Sequence, residues 1–366
     1  MDFEHYPRTD LAQHYLDRLT ALPERALSIF GPRQVGKTTL LQNDLSALAH
    51  QRGLTPVYVD FMSADDPLHA LSGRLEDLLL DVAGELRNTQ VTRVSAARFG
   101  VTLAPAPVAA RSPDPGVQLQ HHMAALKRVN PDARLLLMLD EAQELVRKRD
   151  GERAMKAIRG LFNTYRRDIL LLMTGSSRDG LLWLFGEHHR ASFGLADHED
   201  FQVLGREFVE FVVRPLNQRL NRPLDIEVLS QVFAQLHHRP ADFVAFVSRA
   251  VMTHVEDLLG AVKPFLASRY PVEAIRERFF RFTPLQQVLL AMIASGTAQL
   301  TGAAALREVA SRLGTSVSAA AVSKALASLP VDTLVTHGRG RHEIADPGLL
   351  HWLREGATGD GVAGGG

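Results

Sequence analysis

The chain has 366 residues with 41 basic and 41 acidic side chains, so its formal net charge is zero. No global electrostatic drive toward nucleic acid or anionic membrane follows from that balance, and any such binding must come from a local patch. Cysteine is absent, which excludes disulfides, thiolate metal sites and cysteine nucleophiles together. The length allows two or three domains and the apolar content, at 46%, is that of globular chains. Met1 to His5 carries two acids and no apolar h-region. No apolar run approaches the ~20 residues that span a bilayer. A soluble, cytoplasmic protein is expected.

Ala26 to Phe30 reads as a short buried strand, and Gly31-Pro32-Arg33-Gln34-Val35-Gly36-Lys37-Thr38 follows it directly. This is the pattern G-x-x-x-x-G-K-[ST]. It wraps backbone N–H groups around nucleotide phosphates, with a lysine for the β/γ oxygens and a hydroxyl for Mg²⁺. Thr39, Leu40, Leu41, Leu45 and Leu48 continue as an amphipathic helix, whose N-terminus favours anions. A second strand is predicted over Pro56 to Phe61. The segment 90–118 breaks the rhythm: Val91 to Val94 and Phe99 to Leu103 alternate like a small hairpin, and Ala104 to Gly116 reads as a loop.

Arg134 to Leu139 reads as a strand whose apolar run, Leu135 to Leu139, ends in Asp140 and Glu141. Buried hydrophobics would deliver Asp140 to the C-terminal sheet edge, where ligands bind in open α/β folds. There it can hold Mg²⁺ through a water alongside Thr38, and Glu141 can polarise the water that attacks the γ-phosphate. The next strand, Ile169 to Met173, ends in Thr174-Gly175-Ser176-Ser177-Arg178. With the 134–139 strand placed next to 26–30, this end also faces the γ-phosphate. A Ser176 or Ser177 hydroxyl could then orient the attacking water, with Thr174 the weaker candidate. Arg178 and Arg190 are the nearest candidates for an arginine finger, which would require an oligomer if it acts in trans. A last strand is predicted over Phe201 to Leu204. Buried strands alternating with helices argue for a parallel sheet covered on both faces.

After Gly205 the pattern is helical to about Ser268. From Thr283 three helices are predicted, with Pro284 in the first turn of one, Gly314 ending the second and Ser318 capping the third. A hairpin over Thr333 to Ile344 follows, turning at Gly338-Arg339-Gly340. Three helices plus a hairpin form the winged variant of a helix-turn-helix. Ser318, Ser323, Lys324, His337, Arg339, Arg341 and His342 could meet duplex DNA. Glu308, Asp332, Glu343 and Asp346 nearly cancel that charge, and the third helix is Ala-rich, so a protein-contact role is the other option. The pairs His121-His122, His188-His189 and His237-His238 are expected as solvated surface histidines, since helical neighbours diverge.

The segments 31–41, Leu139-Asp140-Glu141-Ala142-Gln143 and Thr174-Gly175-Ser176-Ser177 resemble the prokaryotic AAA+/STAND-type P-loop ATPases, in particular the archaeal ATPase family. The resemblance covers nearly the whole chain. It implies ATP rather than GTP as nucleotide, and no guanine-reading N-K-x-D motif is present. It places Arg8, ahead of the first helix, near the nucleotide. His238-Arg239-Pro240 resembles the lid motif whose proline lies by the adenine, although Arg239 stands where a glycine is usual. Arg239 is also the residue put forward for the lid arginine that senses γ-phosphate.

The expected architecture is an α/β P-loop NTPase sheet of the AAA+/ASCE type over 1–205, with the 90–118 insertion. A helical lid spans 206–275, a winged helix 276–355, and a disordered Gly-rich tail 356–366. The expected activity is Mg²⁺-dependent ATP hydrolysis, coupled either to DNA or to a signalling switch that works through protein contacts. A homo-oligomer or protein partner fits either purpose, and no membrane is involved.

Overall fold

The computed structural model describes residues 5–94, 114–146, 148, 150, 151–176, 194–330, 333–337 and 341–356. Five strands form one sheet: β1 (Ala26–Phe30), β2 (Thr55–Asp60), β3 (Leu135–Asp140), β4 (Ile169–Gly175) and β5 (Ala196–Asp200). Their order is β2-β3-β4-β1-β5, and every pair is parallel. Parallel strands need crossovers, and helices supply them. The helical segment α2 (Lys37–Thr39, a π-helical Leu40–Leu45, then Ser46–Gln51) links β1 to β2. Helices α3 (Pro67–Val94) and α4 (Pro115–Val129) lie between β2 and β3, and α5 (Gly151–Thr164) between β3 and β4.

Strand side chains alternate between faces, and the two cores divide accordingly. Leu135, Leu137, Leu139, Leu171 and Met173 pack with α3, α4 and α5. Leu136, Met138, Leu170 and Leu172 pack on the other face with α2 and the N-terminal helix α1 (Thr9–Ala21). Every residue of β3 and β4 is buried, which is why both read as continuous apolar runs.

The structure departs from the sequence reading in three places. β4, not β3, neighbours β1: Leu27 pairs with Leu172 and Phe30 with Gly175. With seven buried residues, β4 takes the central position. The fifth strand is Ala196–Asp200, and Phe201 to Leu204 lies beyond it. Its burial alternates because β5 is the sheet edge. Its half-buried Asp197 and Glu199 meet Arg25 and Arg18, so an apolar-run criterion passes over it. Val91 to Val94 ends α3 rather than forming a strand. That helix starts where Asp66 accepts from the Leu68 and His69 amides, and four alternating residues do not interrupt a propagating helix. Phe99 to Leu103 lies outside the described residues, while Pro115 to Gln118 belongs to α4, capped by Asp114.

Helices α6 (Arg206–Asn217), α7 (Ile226–Gln235), α8 (Pro240–Met252) and α9 (Val262–Arg269) surround one core rich in phenylalanine. A separate core joins α10 (Val272–Phe280), α11 (Pro284–Ala294), α12 (Ala303–Leu313), α13 (Ala319–Ala327) and α14 (Pro347–Gly356). The antiparallel pair β6 (Leu334–His337) and β7 (Arg341–Ile344) completes this unit. Thr283 and Gln286 form a capping box at α11, Gly314 ends α12 at φ 69°, and Ser318 caps α13. The Gly338-Arg339-Gly340 turn and the tail after Gly356 lie outside the described residues.

Candidate functional site

Strand β1 ends at Phe30 and feeds Gly31, whose amide donates to the Gly175 carbonyl at 3.1 Å. A Cβ on Gly31 would come within 2.6 Å of the Phe201 Cβ, so only glycine fits there. Gly36 has φ 96° and Gln34 φ 63°. These left-handed conformations turn the chain into the N-terminus of α2. Val35 anchors the loop in the core at 1% exposure. Lys37 is buried, and its Nζ donates to the Gly31 and Pro32 carbonyls at 2.6 and 2.7 Å. It also lies 4.0 Å from Glu141 Oε1. Burial pushes the Lys37 ammonium below the usual lysine range, against the opposing pull of Glu141 and Asp140.

Asp140 is 1% exposed and meets four donors. Thr38 Oγ1 (2.7 Å) and Tyr58 OH (3.0 Å) donate to Oδ2, and the Glu141 amide (3.0 Å) and Thr174 Oγ1 donate to Oδ1. Two oxygens accepting two bonds each is what an ionised carboxylate requires when buried. The Tyr58 hydroxyl is pushed up by burial first and by the Asp140 charge second.

Beyond Asp140 the chain turns sharply, with Glu141 at φ 53°, into a 3-10 turn over Ala142–Val146. A non-glycine residue in this region stores strain. Glu141 Oε2 accepts from Ser176 Oγ at 2.6 Å and from Gln143 Nε2. Ser176 Oγ accepts in turn from Gln143 Nε2 at 3.2 Å and Arg33 Nε at 3.3 Å. The central position of β4 brings Thr174 onto Asp140 and Ser176 onto Glu141.

The structure therefore gathers Gly31 to Thr38, Asp140, Glu141, Thr174 and Ser176 at one end of the sheet. Thr39 is exposed in the first turn of α2. Arg8 stacks its guanidinium 4.6 Å over Phe201, which packs on Gly31, and donates to the Gln202 carbonyl. Burial lowers its pKa from the usual arginine value. Pro240 opens α8, and the preceding Arg239 reaches the loop, donating to Gln34 Oε1 at 3.0 Å and to the Ala345 carbonyl. Ser177, Arg178, Arg190 and the pair His188-His189 lie outside the described residues.

His122 corrects the expectation of solvated histidines. It is 1% exposed on the face of α4 that carries Leu119 and Met123. Its Nδ1 donates to the Ser72 carbonyl at 3.1 Å, and Nε2 accepts from Gln118 at 2.7 Å. His237 is exposed, and half-buried His238 donates through Nδ1 to the Leu204 carbonyl at 2.9 Å. Sequence reasoning gave no role to Tyr58 or Gln143. Gln143 stood within the quoted 139–143 run, and Tyr58 sits on the strand that pairs with β3, a neighbourhood invisible without the sheet order.

Residues 22–182 match the family model described as an AAA domain. Among solved structures, the Walker-type ATPase of Pyrococcus abyssi is 19% identical, with a TM-score of 0.60, covering 97% of this chain and 100% of that one. The ORC2 protein of Aeropyrum pernix, solved as ADPNP-ADP complexes, is 14% identical with a TM-score of 0.51, covering 98% of both chains. A comparison with curated protein sequences finds no match. The sheet and its loop thus have the P-loop NTPase fold, and residues 22–182 are similar to an AAA domain. No helix among the described residues is long and apolar enough to cross a membrane.

Proposed function

We propose that the chain binds ATP with Mg²⁺ and hydrolyses it, and that turnover changes how the C-terminal helical units sit on the α/β domain. The observation that carries this reading is the convergence of Thr38, Asp140, Lys37 and Glu141 at the loop. Thr38 and Asp140 offer a hydroxyl and a carboxylate 2.7 Å apart. Among the described residues no group of three or more His, Asp or Glu forms a dedicated metal cage. Hard oxygen ligands in small number suit Mg²⁺, which keeps waters and shares substrate phosphates. When bound, the ion neutralises charge on the β- and γ-phosphate oxygens.

Lys37 turns from the loop carbonyls to those phosphates, and backbone amides of the loop cradle them. Glu141 Oε1 takes a proton from water as the water oxygen bonds to the γ-phosphorus. The bond from that phosphorus to the bridging oxygen breaks, and ADP leaves with the electron pair. Arg8 and Pro240 flank the base and ribose end of the nucleotide. Glu141→Gln is expected to bind a fluorescent ATP analogue with parental affinity and to lose at least a hundredfold in turnover. Parental turnover in that variant would sink the proposal.

The second half of the proposal reads α11, α12, α13 and the β6–β7 hairpin as a winged helix that associates with duplex DNA. Exposed Ser323 and Lys324 on α13 support phosphate contacts. The switch reading has its own support: Arg239 ties loop residue Gln34 to the Ala345 carbonyl beside β7. ATPase rate with and without duplex DNA separates the two. A DNA-coupled enzyme accelerates with DNA and loses that response as salt rises, whereas a switch turns over slowly, retains ADP on purification and ignores DNA.

A further inference from the structure

Building on the hydrolytic reading, we propose that Gln143 is a positioning residue for Glu141. With Ser176 it clamps one carboxylate oxygen, Oε2, and leaves Oε1 as the atom that receives the proton from water. The valences of one hydroxyl carry the inference. Ser176 Oγ has one proton and two lone pairs. Arg33 Nε and Gln143 Nε2 carry only donors, and both reach that oxygen, at 3.3 and 3.2 Å. With the lone pairs used, the serine proton has one destination, Glu141 Oε2 at 2.6 Å.

Gln143 donates to the same carboxylate oxygen. Its amide orientation follows from the network: exchanging its oxygen and nitrogen would press a carbonyl against a carboxylate. Gln143 and Ser176 are 2% and 3% exposed, so solvent does not compete for these bonds. Strained Glu141 and the 3-10 turn behind it bring the Gln143 side chain back onto the carboxylate two residues earlier. Glu141 Oε1, by contrast, faces Lys37 Nζ at 4.0 Å, on the phosphate side. Ser176 therefore acts through Glu141 and not on the water. Arg33, a residue of the phosphate loop, sets the direction of its hydroxyl.

The test is a double-mutant cycle on the full chain with Mg-ATP. Gln143→Met keeps length and burial but removes the donor. It is expected to lower kcat about tenfold, a fraction of the 10²–10⁴ of a positioned base, with KM within twofold of the parent. In a Glu141→Gln background the same substitution should leave the residual single-turnover rate unchanged. Parental kcat in Gln143→Met, a loss confined to KM, or an equal loss in both backgrounds would each overturn the clamp. Should Gln143→Met not fold, Ser176→Ala enters the same cycle with the same expectations. The two readings fail differently. Parental turnover in Glu141→Gln removes the hydrolytic reading, whereas an inactive Glu141→Gln with an indifferent Gln143→Met removes only the clamp.

Discussion

Replacing Asp140 with asparagine separates its two roles, as hydrogen-bond acceptor and as charge. The buried carboxylate meets four donors, two on each oxygen. An amide offers one oxygen, so one pair of donors must face an NH₂ group. The Glu141 amide cannot reverse its polarity, which fixes the remaining oxygen on that side. The NH₂ then faces the hydroxyls of Thr38 and Tyr58, which can turn and accept. Thr38 is exposed and can donate its hydroxyl hydrogen bond to water instead, while Tyr58 is half-buried. All four charge-assisted bonds become neutral ones, two of them with donor and acceptor exchanged, and a loss of about 2–4 kcal/mol follows. For an α/β unit of this size that is a fall in Tm of about 2–4 °C per kcal/mol.

Asp140→Leu, by contrast, leaves the Glu141 N–H without an acceptor, at a further cost of about 1–3 kcal/mol. Thermal melts of the two variants should rank them in that order. Binding of a fluorescent ATP analogue, titrated with and without Mg²⁺, reads the second role. The parent should gain affinity with Mg²⁺ and Asp140→Asn should lose most of that gain. An asparagine variant with undiminished Mg²⁺ dependence would refute the metal assignment. A leucine variant as stable as the parent would refute the four-donor account.

Stability should fall as pH drops below the ordinary histidine value of 6.5, because burial depresses the His122 pKa, opposed in part by Glu76. The unfolded chain then binds more protons than the folded one, so His122 stabilises fully above that pH and progressively less below it. Urea titrations across pH 5 to 8 should show this slope, and His122→Gln should flatten it. Gly31→Ala sets a methyl 2.6 Å from the Phe201 Cβ. A destabilisation of about 1–3 kcal/mol is expected, with weaker nucleotide binding; a thermal melt and a binding titration that match the parent would contradict the packing. Arg239→Met removes the donors that join Gln34 to Ala345. Limited proteolysis without nucleotide should then cleave between the α/β domain and the C-terminal units faster than in the parent, by several-fold.

What could be read from sequence is what is contiguous. The loop from Gly31 to Thr38 is one segment, and Asp140 follows an unbroken apolar run, so period and motif sufficed to place each. The strand order could not be read so directly. Nothing local in Ile169 to Gly175 says that it separates β1 from β3, yet that position is what brings Thr174 to Asp140 and Ser176 to Glu141. The edge strand Ala196–Asp200 is polar even at its half-buried positions, where Asp197 and Glu199 meet Arg25 and Arg18, so its signal is weaker than that of the Phe201-containing segment beside it. Tyr58, Gln143 and His122 owe their roles to partners 82, 2 and 50 residues away. For Tyr58 and His122, distance in sequence hides the partner. For Gln143 the partner is near, but only the left-handed turn at Glu141 folds the amide back onto it.

Two neighbouring loop residues point to separate parts of the molecule. Arg33 reaches Ser176, and through it the carboxylate of Glu141. Gln34, at φ 63°, reaches Arg239, and through it the Ala345 carbonyl of the C-terminal unit. Both side chains are borne by the segment whose backbone would close around phosphates, so on the proposed reading nucleotide arrival would shift the anchor of both ties at once. A ligand moves such an equilibrium only by its differential affinity for the two arrangements. The arrangement observed has Gln34 held by Arg239, and the proposed switch requires a phosphate-bound loop that gives up that bond. Arg239 is bound on both sides and 8% exposed, so releasing Gln34 leaves a buried guanidinium with one partner fewer. That penalty, about 1.5–3 kcal/mol for a charged hydrogen bond, corresponds to roughly ten- to a hundredfold in nucleotide affinity. It sets the size of the response that the C-terminal unit can report, and Gln34→Ala should recover it as tighter binding.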